Sequence, residues 1–531
     1  MFYISDSLSP KQPWIISGQR FALIMSLLNT VLFNGALYAY IVSHLDILTF
    51  SGLMILASIV ILVFTFNLFF ISLLLLITPT LLKLLFVITS LINAVALYYM
   101  LSYQVTLDIT MIGNIFNTRT SESVELLTPT LFIYVILLAV IPSILILKVG
   151  VQPLNRLKII INFVIALVVT ILFLYANASG WLWLDKHAKI LGGKVLPWSY
   201  IVNTIRYYKQ QSKNDKPVTL LPAGKFTNKQ KIAVVFIIGE TARAHNFSLY
   251  GYARETNPLL KTDDILVMNK TTACTTYTTG SVACMLSHDV QQSGYEPLPS
   301  YLHRMGAKVV WRSNNWGEPA IDVSKYQIGG DLIAQCHGED CQFDSVLLTG
   351  LEDEITSSSQ DKVLVVLHTK GSHGPSYYTR YPASFEKFTP VCRHEELSKC
   401  TSQELINAYD NTILYTDYFL HQTINRLQQL HMPVMLIYAS DHGESLGEEG
   451  LYLHGTPFMF APKYQKEVPF IIWRSKELIQ LQGISNADVR QTGEFSHANI
   501  FHTILGTLGM QSPIYNKELD ILHTSKQQKI P

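Results

Sequence analysis

Five apolar segments fill the first third of this chain of 531 residues and constrain its fold more than any other feature. They cover roughly residues 21–43, 49–75, 80–101, 128–148 and 157–178. Each is long enough to cross a bilayer as a helix, which takes roughly 20 apolar residues. A proline at position 79 and Lys83 divide the long run at 49–101 into two helices. We therefore predict a five-helix transmembrane domain over residues 1–179, with a longer external loop at 102–127.

The positive charges between these segments predict their orientation, because cytoplasmic loops are enriched in Lys and Arg. One side of the predicted membrane carries Lys11, Arg20, Lys83, Lys148, Arg156 and Lys158. The opposite side carries only His44 and Asp46 in one loop and Asp108 and Arg119 in the other. The N-terminus is therefore predicted to be cytoplasmic, without a cleaved signal peptide. An odd number of spans places the chain after about residue 179 outside, which in a bacterium is the periplasm.

The remainder of the chain has the composition of a soluble domain and contains all six cysteines. They form three locally spaced pairs, Cys274/Cys284, Cys336/Cys341 and Cys392/Cys400. An even number of cysteines in an exported domain predicts disulfides, and we expect nearest-neighbour pairing. Zinc ribbons are the alternative, but no pair has the close spacing of a ribbon knuckle. The net charge of +1 argues against a nucleic-acid partner.

Residues 180–230 are predicted to connect the two parts. Leu196 to Gln211 carries aromatic and aliphatic residues mostly along one side, which is typical of an amphipathic helix. Such a helix lies either at the membrane surface or on the soluble domain. Residues 213–231 are polar, contain Pro and Gly, and are predicted to be extended or flexible.

From residue 231 short apolar runs alternate with longer helix-compatible segments, which predicts a mostly parallel α/β sheet. The runs are Ile232–Ile238, Lys308–Trp311, Val363–Leu367, Val434–Tyr438 and Val468–Trp473. We assign residues 231–531 to this domain. No glycine-rich nucleotide-binding loop occurs in the sequence, so a nucleotide fold is disfavoured.

Three of these runs end in residues that bind metals. Glu240 follows the first run, His373 lies shortly after the third, and Asp441 and His442 follow the fourth. Ligands bind at the carboxyl ends of strands in open α/β sheets, so these side chains are expected to lie together. Each residue taken alone is more typical of a cap or a structural histidine. Together they predict a metal site, and His454 downstream is a further candidate ligand.

A threonine-rich segment between Cys274 and Cys284 supplies a candidate nucleophile. Thr278 lies where a helix can begin, and a hydroxyl at a helix start beside a divalent cation can be deprotonated and attack phosphorus. A helix N-terminus also favours the developing negative charge. The alternative is a loop in which the threonines serve as helix caps.

Several motifs in the same order resemble the bacterial phosphoethanolamine transferases, a family that includes the lipid A-modifying enzymes of polymyxin and colistin resistance. They are Gly239-Glu-Thr-Ala-Arg, the Cys274–Cys284 loop, Ser372-His-Gly-Pro, Ser440-Asp-His-Gly-Glu-Ser and Tyr452-Leu-His-Gly. The resemblance covers nearly the whole chain. It implies an alkaline phosphatase/sulfatase-like periplasmic domain on a multi-pass protein of the Gram-negative inner membrane, acting as a monomer.

The resemblance also implies roles for individual residues. Thr278 would be the nucleophile and would accept phosphoethanolamine from phosphatidylethanolamine before its transfer to lipid A or another lipopolysaccharide acceptor. Glu240, Asp441 and His442 would join Thr278 around one tightly bound zinc ion. His373 and His454 would hold the phosphate, a second zinc ion or the proton of the leaving group.

Three further positions match head-group contacts in related enzymes. Asn114, Thr118 and Glu122 recur every four residues, a spacing that places them on one helix face. An interfacial helix with solvated polar residues is the alternative. The chain departs from many relatives at Trp316-Gly-Glu-Pro319, where they have a small or hydroxyl residue and then a lysine-containing loop. This difference predicts altered contacts with the acceptor or the head group.

Three other functions are compatible with parts of this pattern. A phosphoglycerol transferase shares the spans and the threonine nucleophile, but the paired cysteines and the Ser-His-Gly-Pro and Tyr-Leu-His-Gly motifs argue against it. A sulfatase-like hydrolase would carry its own Cys or Ser signature, which the sequence lacks. A noncatalytic membrane adaptor is disfavoured because all four residues of the predicted zinc site are present.

Overall fold

The computed structural model describes residues 14–118, 123–124, 126–152, 156–176, 181–214, 218–394 and 397–523. The chain divides into two compact units. We name the units after their predicted roles: residues 1–113 and 127–207 are the membrane unit, and residues 114–126 and 208–531 are the catalytic unit. These limits differ from the predicted domains, because part of the loop at 102–127 is grouped with the catalytic unit.

The membrane unit is helical and its long helices follow the predicted spans. Its helices are Gly18–Leu32, Gly35–His44, Phe50–Ile77, Pro79–Ser102, Ile109–Asn117, Pro129–Lys148, Arg156–Ala176, Trp181–Lys194 and Trp198–Asn214. The last residues of Ile109–Asn117 and of Trp198–Asn214 are grouped with the catalytic unit. Among the described residues, three helices are long and apolar enough to cross a membrane, or four if one bent pair counts as a single span. The fifth predicted span corresponds to the helix Arg156–Ala176, whose described apolar part is the shorter stretch Phe163–Tyr175.

The first predicted span is the bent pair, with an angle of 54° between Gly18–Leu32 and Gly35–His44. Asn34 lies at the bend and is fully buried. Its side-chain amide donates to the carbonyl of Asn29 at 3.0 Å and accepts from the backbone N–H of Leu196 at 3.0 Å. The side chain of Asn34 therefore links the first helix of the pair to the backbone at Leu196, and these hydrogen bonds hold the chain at the bend.

The connector contains a helix at Trp198–Asn214, close to the predicted Leu196 to Gln211. Its first half belongs to the membrane unit. The Trp198 indole donates to the side chain of Asn67 at 2.9 Å, and Asn203 donates to the carbonyl of Leu107 at 2.7 Å. The first half of this helix is therefore packed against other parts of the membrane unit through Trp198 and Asn203.

The catalytic unit is built on a seven-stranded sheet, with strands labelled β1–β7 in chain order. They are β1 (Ile232–Gly239), β2 (Ile265–Val267), β3 (Lys308–Ser313), β4 (Lys325–Ile328), β5 (Lys362–His368), β6 (Val434–Ser440) and β7 (Phe470–Arg474). The order across the sheet is β2-β7-β6-β1-β5-β3-β4. All pairs are parallel except those made by β7, which runs antiparallel to both β6 and β2.

The five predicted apolar runs are all strands of this sheet, so the prediction of a mostly parallel sheet is confirmed. Strands β1, β5 and β6 are buried along their whole length, which is typical of parallel strands covered on both faces. The two strands that the sequence did not predict are short, and β4 is exposed at three of its four residues. A short or exposed strand lacks the apolar run on which the prediction depends.

Helices cover both faces of the sheet, and the sheet separates two apolar cores, one on each face. The helices are Thr278–Met285, Leu298–Arg304, Gly329–Leu332, Leu351–Thr356, Ser402–Gln428, Lys463–Lys466, Lys476–Gln482 and Ala498–Thr507. The longest begins at a capping box, in which Thr401 accepts from the backbone of Glu404 and Glu404 accepts in return from that of Thr401.

The three expected disulfides are present in nearest-neighbour pairing, which confirms that prediction. Cys274 is bonded to Cys284, Cys336 to Cys341, and Cys392 to Cys400.

Candidate active site and metal centre

Two adjacent strands deliver the acidic residues of the site. Glu240 follows β1 and Asp441 follows β6, and the register of these strands pairs Gly239 with Ser440. The two carboxylates are therefore neighbours at the carboxyl edge of the sheet, and both are fully buried. Asp441 is held by its Oδ1 atom, which accepts from the backbone N–H groups of Thr241 at 3.0 Å and His442 at 2.7 Å.

The hydroxyl of Thr278 lies against this acidic edge. Thr278 is the first residue of the helix Thr278–Met285. Its Oγ1 is 3.3 Å from both carboxylate oxygens of Glu240 and 3.4 Å from Nε2 of His442. Gly317 borders the same side chain, since a Cβ there would lie 3.2 Å from Cγ2 of Thr278. The structure thus brings together the four residues that were predicted to surround a metal.

The donor set at this point fits a divalent cation. Oxygen and nitrogen atoms of Glu240, His442 and His454 lie within 4.8 Å of one another. The Oδ2 atom of Asp441 is buried, accepts no hydrogen bond and lies 3.3 Å from Nε2 of His442. A buried carboxylate oxygen without a donor is costly, and a cation is the partner that offsets this cost.

The electrostatics of the site also favour a cation. Burial and then the neighbouring Asp441 raise the pKa of Glu240. Burial raises the pKa of Asp441 to about 6, and burial together with His454 lowers the pKa of His442 to about 3. A neutral imidazole beside two crowded carboxylates is the protonation pattern that a metal ion requires of its ligands.

Two further histidines approach the site. The ring centroid of His454 is 4.3 Å from that of His442 and 5.7 Å from that of His373. Burial lowers the pKa of His454, but the Glu444 carboxylate at 3.3 Å outweighs it and raises this pKa to about 9. Burial and then Lys370 lower the pKa of His373 well below its usual value. The pair therefore combines one protonated and one neutral imidazole.

Three residues at this site were not predicted from the sequence, namely Asn315, Glu444 and His497, and the last is described below. Asn315 is buried and its amide donates to Oε2 of Glu240 at 2.6 Å. Glu444 is fully buried and holds His454. Asn315 follows β3, so its position at a strand end was the available signal. Glu444 lies within the Asp-His motif itself, where its burial was not visible from the sequence.

The chain departs from many relatives at Trp316–Pro319. In this segment Gly317 lies next to Thr278, the predicted nucleophile. Glu318 points toward β5, and its carboxylate is 3.7 Å from Nδ1 of His368 and accepts from the hydroxyl of Tyr326 at 2.5 Å. Burial raises the pKa of Glu318, but His368 and Tyr326 outweigh it and lower this pKa to about 2. The segment is therefore anchored by an acidic side chain.

The predicted head-group positions are only partly described. Asn114 lies in the helix Ile109–Asn117, and Thr118 follows its last residue. The backbone N–H and the hydroxyl of Thr118 both donate to the carbonyl of Asn114, at 2.9 and 2.7 Å, so the helical spacing continues to this point. Glu122 lies outside the described residues.

A buried histidine from another helix joins the two halves of the site. His497 precedes the helix Ala498–Thr507 and is fully buried. Its Nε2 is 2.9 Å from the carbonyl of Ser440, and its Nδ1 is 3.3 Å from the backbone N–H of Cys274. Nε2 therefore carries the proton and Nδ1 accepts. This ring links the strand end that carries Asp441 to the loop that carries Thr278.

The disulfides differ in their relation to the site. The Cys274–Cys284 bridge encloses the segment that carries Thr278. Cys400 lies outside the site. It comes two residues before the first residue of the long helix Ser402–Gln428 and packs against one of the two apolar cores. Its partner Cys392 donates its backbone N–H to the carbonyl of Glu404 in the first turn of that helix, at 3.0 Å. The bridge between Cys392 and Cys400 therefore has a structural role at a helix start, because it holds the preceding loop there.

The mostly parallel sheet, with a cluster of potential metal ligands at its carboxyl edge, defines the catalytic unit as an α/β domain of the alkaline phosphatase/sulfatase class. In agreement, the family model described as Sulfatase matches residues 233–510, more than half of the chain. A second family model, described as Phosphoethanolamine transferase EptA/EptB, matches residues 62–212.

Similarity to individual proteins extends over the whole chain. The chain is 37% identical over 523 residues to phosphoethanolamine transferase EptA of Helicobacter pylori, covering 95% of this chain and 96% of that protein. It is 36% identical over 467 residues to phosphoethanolamine transferase EptA of Escherichia coli K12, covering 82% and 84%. The chain therefore belongs to the bacterial phosphoethanolamine transferase family.

A solved structure supports the same assignment. The integral membrane lipooligosaccharide phosphoethanolamine transferase A from Neisseria meningitidis superposes with a TM-score of 0.87 at 29% identity, covering 96% of this chain and 99% of that one. The protein is thus a transferase of the bacterial inner membrane, and its catalytic domain lies in the periplasm. This confirms the predicted location and the predicted family.

We predict that His497→Ala lowers the turnover of the enzyme by about 10- to 100-fold, because two backbone groups that orient the site lose their partner. His502→Ala is a matched control. His502 lies in the adjoining helix, and its ring contacts the carbonyl of His288 and the backbone N–H of Asn516 at 3.0 and 3.2 Å. Steady-state kinetics and thermal unfolding of both variants separate the effects. Equal losses of turnover in the two variants would contradict a positioning role for His497.

Proposed function

We propose that this protein transfers phosphoethanolamine from phosphatidylethanolamine to a phosphate of lipid A through a phosphoethanolamine–Thr278 intermediate. The observation that carries this proposal is the position of the Thr278 hydroxyl at a helix start, 3.3 Å from the Glu240 carboxylate and 3.4 Å from His442. The name of one relative agrees with an acceptor molecule that contains lipid A, since a similar enzyme of Escherichia coli K12 is a Kdo(2)-lipid A phosphoethanolamine 7''-transferase.

We assign the metal to zinc and its ligands to Glu240, Thr278, Asp441 and His442. One zinc ion is expected to bind tightly, and a second near His373 and His454 is an open alternative. When bound, the ion lowers the pKa of the Thr278 hydroxyl and offsets negative charge on the transferred phosphoryl group. Zinc is preferred to magnesium because one of the assigned ligands, His442, is a neutral imidazole.

In the first half-reaction the Thr278 oxygen attacks the phosphorus of phosphatidylethanolamine, and its proton passes to solvent. A bond forms between phosphorus and Oγ1, and the bond between phosphorus and the glycerol oxygen breaks. Diacylglycerol leaves and takes a proton from His454, which Glu444 keeps protonated. The positive end of the helix Thr278–Met285 stabilises charge on the phosphoryl oxygens.

In the second half-reaction an oxygen of a lipid A phosphate attacks the same phosphorus. A bond forms between phosphorus and this oxygen, and the bond between phosphorus and Oγ1 breaks. Thr278 and His454 each regain a proton from solvent, which restores the starting state. Two steps with a covalent intermediate allow donor and acceptor lipids to enter one site in turn. Attachment to the membrane raises the effective concentration of both lipids.

The same proposal assigns the parts of the chain. Residues 1–179 cross the membrane five times, with the periplasmic loop at 102–127, and residues 180–230 connect them to the periplasmic catalytic domain at 231–531. Asn114, Thr118 and Glu122 are proposed to contact the phosphoethanolamine head group, together with His373 and His454. The protein is proposed to act as a monomer.

The product explains a role in resistance to cationic peptides. Phosphoethanolamine adds an ammonium group to lipid A and masks a phosphate charge, so the negative surface charge falls. Polymyxins and other cationic peptides then bind the surface less strongly.

Expression of the gene in a Gram-negative host that lacks such an enzyme tests the proposal. Lipid A extracted from this host is expected to gain the mass of one phosphoethanolamine group, and polymyxin susceptibility is expected to fall. The matched control is the same host expressing Thr278→Ala. A modified core oligosaccharide with unmodified lipid A would reassign the acceptor, and an unmodified envelope would refute phosphoethanolamine transfer to lipopolysaccharide.

A further inference from the structure

A short exposed turn next to the active site carries three large apolar side chains. We call Phe458, Met459 and Phe460 the apolar tip. Their exposed fractions are 41%, 80% and 41%. Among the described residues of the catalytic unit, no other three consecutive large apolar side chains are exposed. Consecutive exposed apolar residues in a folded domain indicate a surface that meets an apolar partner.

The turn that carries the apolar tip is well defined. The carbonyl of Pro457 accepts from the backbone N–H groups of Phe460 at 2.8 Å and Ala461 at 3.0 Å. The backbone N–H of Thr456 donates to the side chain of Gln465 at 3.2 Å. The tip is therefore held outward by a closed turn.

The base of the turn is bonded to the loop of the nucleophile. The backbone N–H of Gly455 donates to the carbonyl of Thr276 at 2.8 Å, and the hydroxyl of Thr276 donates to the carbonyl of Thr456 at 2.7 Å. Thr276 is two residues before Thr278, and Gly455 directly follows His454. The apolar tip thus projects from the immediate surroundings of the reacting group.

Positive charges accompany the apolar tip. Lys463 is exposed, and Nζ of Lys466 lies 5.4 Å from the ring centroid of Phe458. Neither lysine forms an ion pair with a residue that the structure describes. Aromatic and Met side chains next to unpaired lysines are the combination that binds the interface of a bilayer, where phosphates lie directly above acyl chains.

We propose that the apolar tip is a membrane anchor, which inserts into the outer leaflet of the inner membrane while Lys463 and Lys466 contact lipid phosphates. The anchor would hold the mouth of the site at the level of the phosphodiester of a membrane lipid. This consequence for catalysis rests on the proposed function, because it requires a donor with acyl chains. The insertion itself does not require turnover.

Insertion is measured with a nitroxide attached to Met459→Cys in the full-length protein, reconstituted in vesicles of phosphatidylethanolamine and phosphatidylglycerol. All six native cysteines are in disulfides, so the introduced thiol is the one that reacts. We expect the label to be relaxed more by oxygen, which is enriched in lipid, than by a water-soluble nickel chelate.

Ser359→Cys is the matched control. Ser359 is exposed and precedes β5, at the edge of the sheet opposite to the site. A nitroxide there is expected to be relaxed more by the nickel chelate. The same aqueous pattern for the label at Met459→Cys would overturn the proposal.

Activity provides a second test with a triple variant, Phe458→Ser, Met459→Ser and Phe460→Ser. We expect kcat/KM for long-chain phosphatidylethanolamine in vesicles to fall by about tenfold, because less enzyme engages the bilayer. With a short-chain, water-soluble phosphatidylethanolamine, kcat/KM is expected to be unchanged.

The remaining outcomes are also decisive. Equal losses of kcat/KM with both donors would overturn the anchor, because the apolar tip would then act within the site. No loss with either donor would also overturn it. If the nitroxide at Met459→Cys is in lipid but the enzyme transfers nothing from either donor, the anchor stands and the proposed function fails.

Discussion

Thr278→Ala will abolish both the covalent phosphoethanolamine adduct and transfer, with a fall in rate on the order of 10³- to 10⁶-fold, as expected when a nucleophile is removed. The hydroxyl is the group of Thr278 that faces Glu240 and His442, at 3.3 and 3.4 Å. Removing it leaves the methyl of alanine in a site that otherwise keeps its shape. Thr278→Ser retains a hydroxyl and is expected to retain part of the activity.

Intact-protein mass spectrometry after incubation with phosphatidylethanolamine checks this result. Wild-type protein is expected to gain the mass of one phosphoethanolamine group, and peptide mapping is expected to locate it on Thr278. Thr279→Ala is the matched control, because Thr279 is the next residue of the same helix. An adduct that survives in Thr278→Ala, or that maps to Thr279, contradicts the proposed nucleophile.

The second large effect concerns Asp441→Asn, which should weaken zinc binding by at least about 10²-fold. Asparagine retains an oxygen in the place of Oδ1, which accepts from the backbone N–H groups of Thr241 and His442. It replaces the unpartnered Oδ2 with an NH₂ group that cannot bind a cation. The variant therefore removes the metal ligand and one buried charge while it preserves the backbone contacts.

In thermal unfolding, the difference in stability between the wild type and Asp441→Asn should change sign when zinc is added. Without metal, Asp441→Asn is expected to be at least as stable as the wild type, because it removes the cost of a buried carboxylate next to another. With saturating zinc the wild type gains free energy of unfolding by mass action, by about 2.7 kcal/mol at a zinc concentration of 100 Kd. The variant gains far less, so the wild type becomes the more stable protein.

Asp417→Asn controls for the loss of a buried carboxylate elsewhere. Asp417 is fully buried and accepts from the backbone N–H groups of Leu259 and Leu260 at 2.9 and 3.0 Å. It should leave the zinc-dependent gain unchanged. Zinc content measured by elemental analysis completes the test, and an Asp441→Asn protein with wild-type zinc affinity would exclude Asp441 as a ligand.

The parts of the fold that follow from the sequence are those with a strong local signal. Strands β1, β5 and β6 are continuous apolar runs, and Asp441 directly follows one of them, so both the sheet edge and its acidic residue were predictable. The antiparallel direction of β7 was not, because an apolar run has the same pattern in either direction. The polar bend at Asn34 also lies within a run that otherwise has the composition of a single span.

The residues of the candidate site also divide into those that the sequence predicts and those that it does not. The residues at the strand ends and in the Thr278 loop could be predicted from their positions in the sequence, from their chemistry and from the family resemblance. Asn315 and His497 act through hydrogen bonds to groups more than 50 residues away in the chain, with Glu240 and Ser440 as partners. Such partners are set by tertiary packing, and a single sequence gives no signal that connects them.

The order of strands in the sheet has a consequence for how the protein is made. Strand β1 lies between β5 and β6, yet it is synthesised and exported before either of them. At ~5–20 residues per second, its final neighbour β6 follows it by on the order of 10 s or more. During that interval an apolar strand has unpaired edges and is prone to aggregation, so periplasmic chaperones have a defined target in the nascent domain. Because Asp441 and His442 follow β6, the proposed metal site is complete only after β6 has been exported.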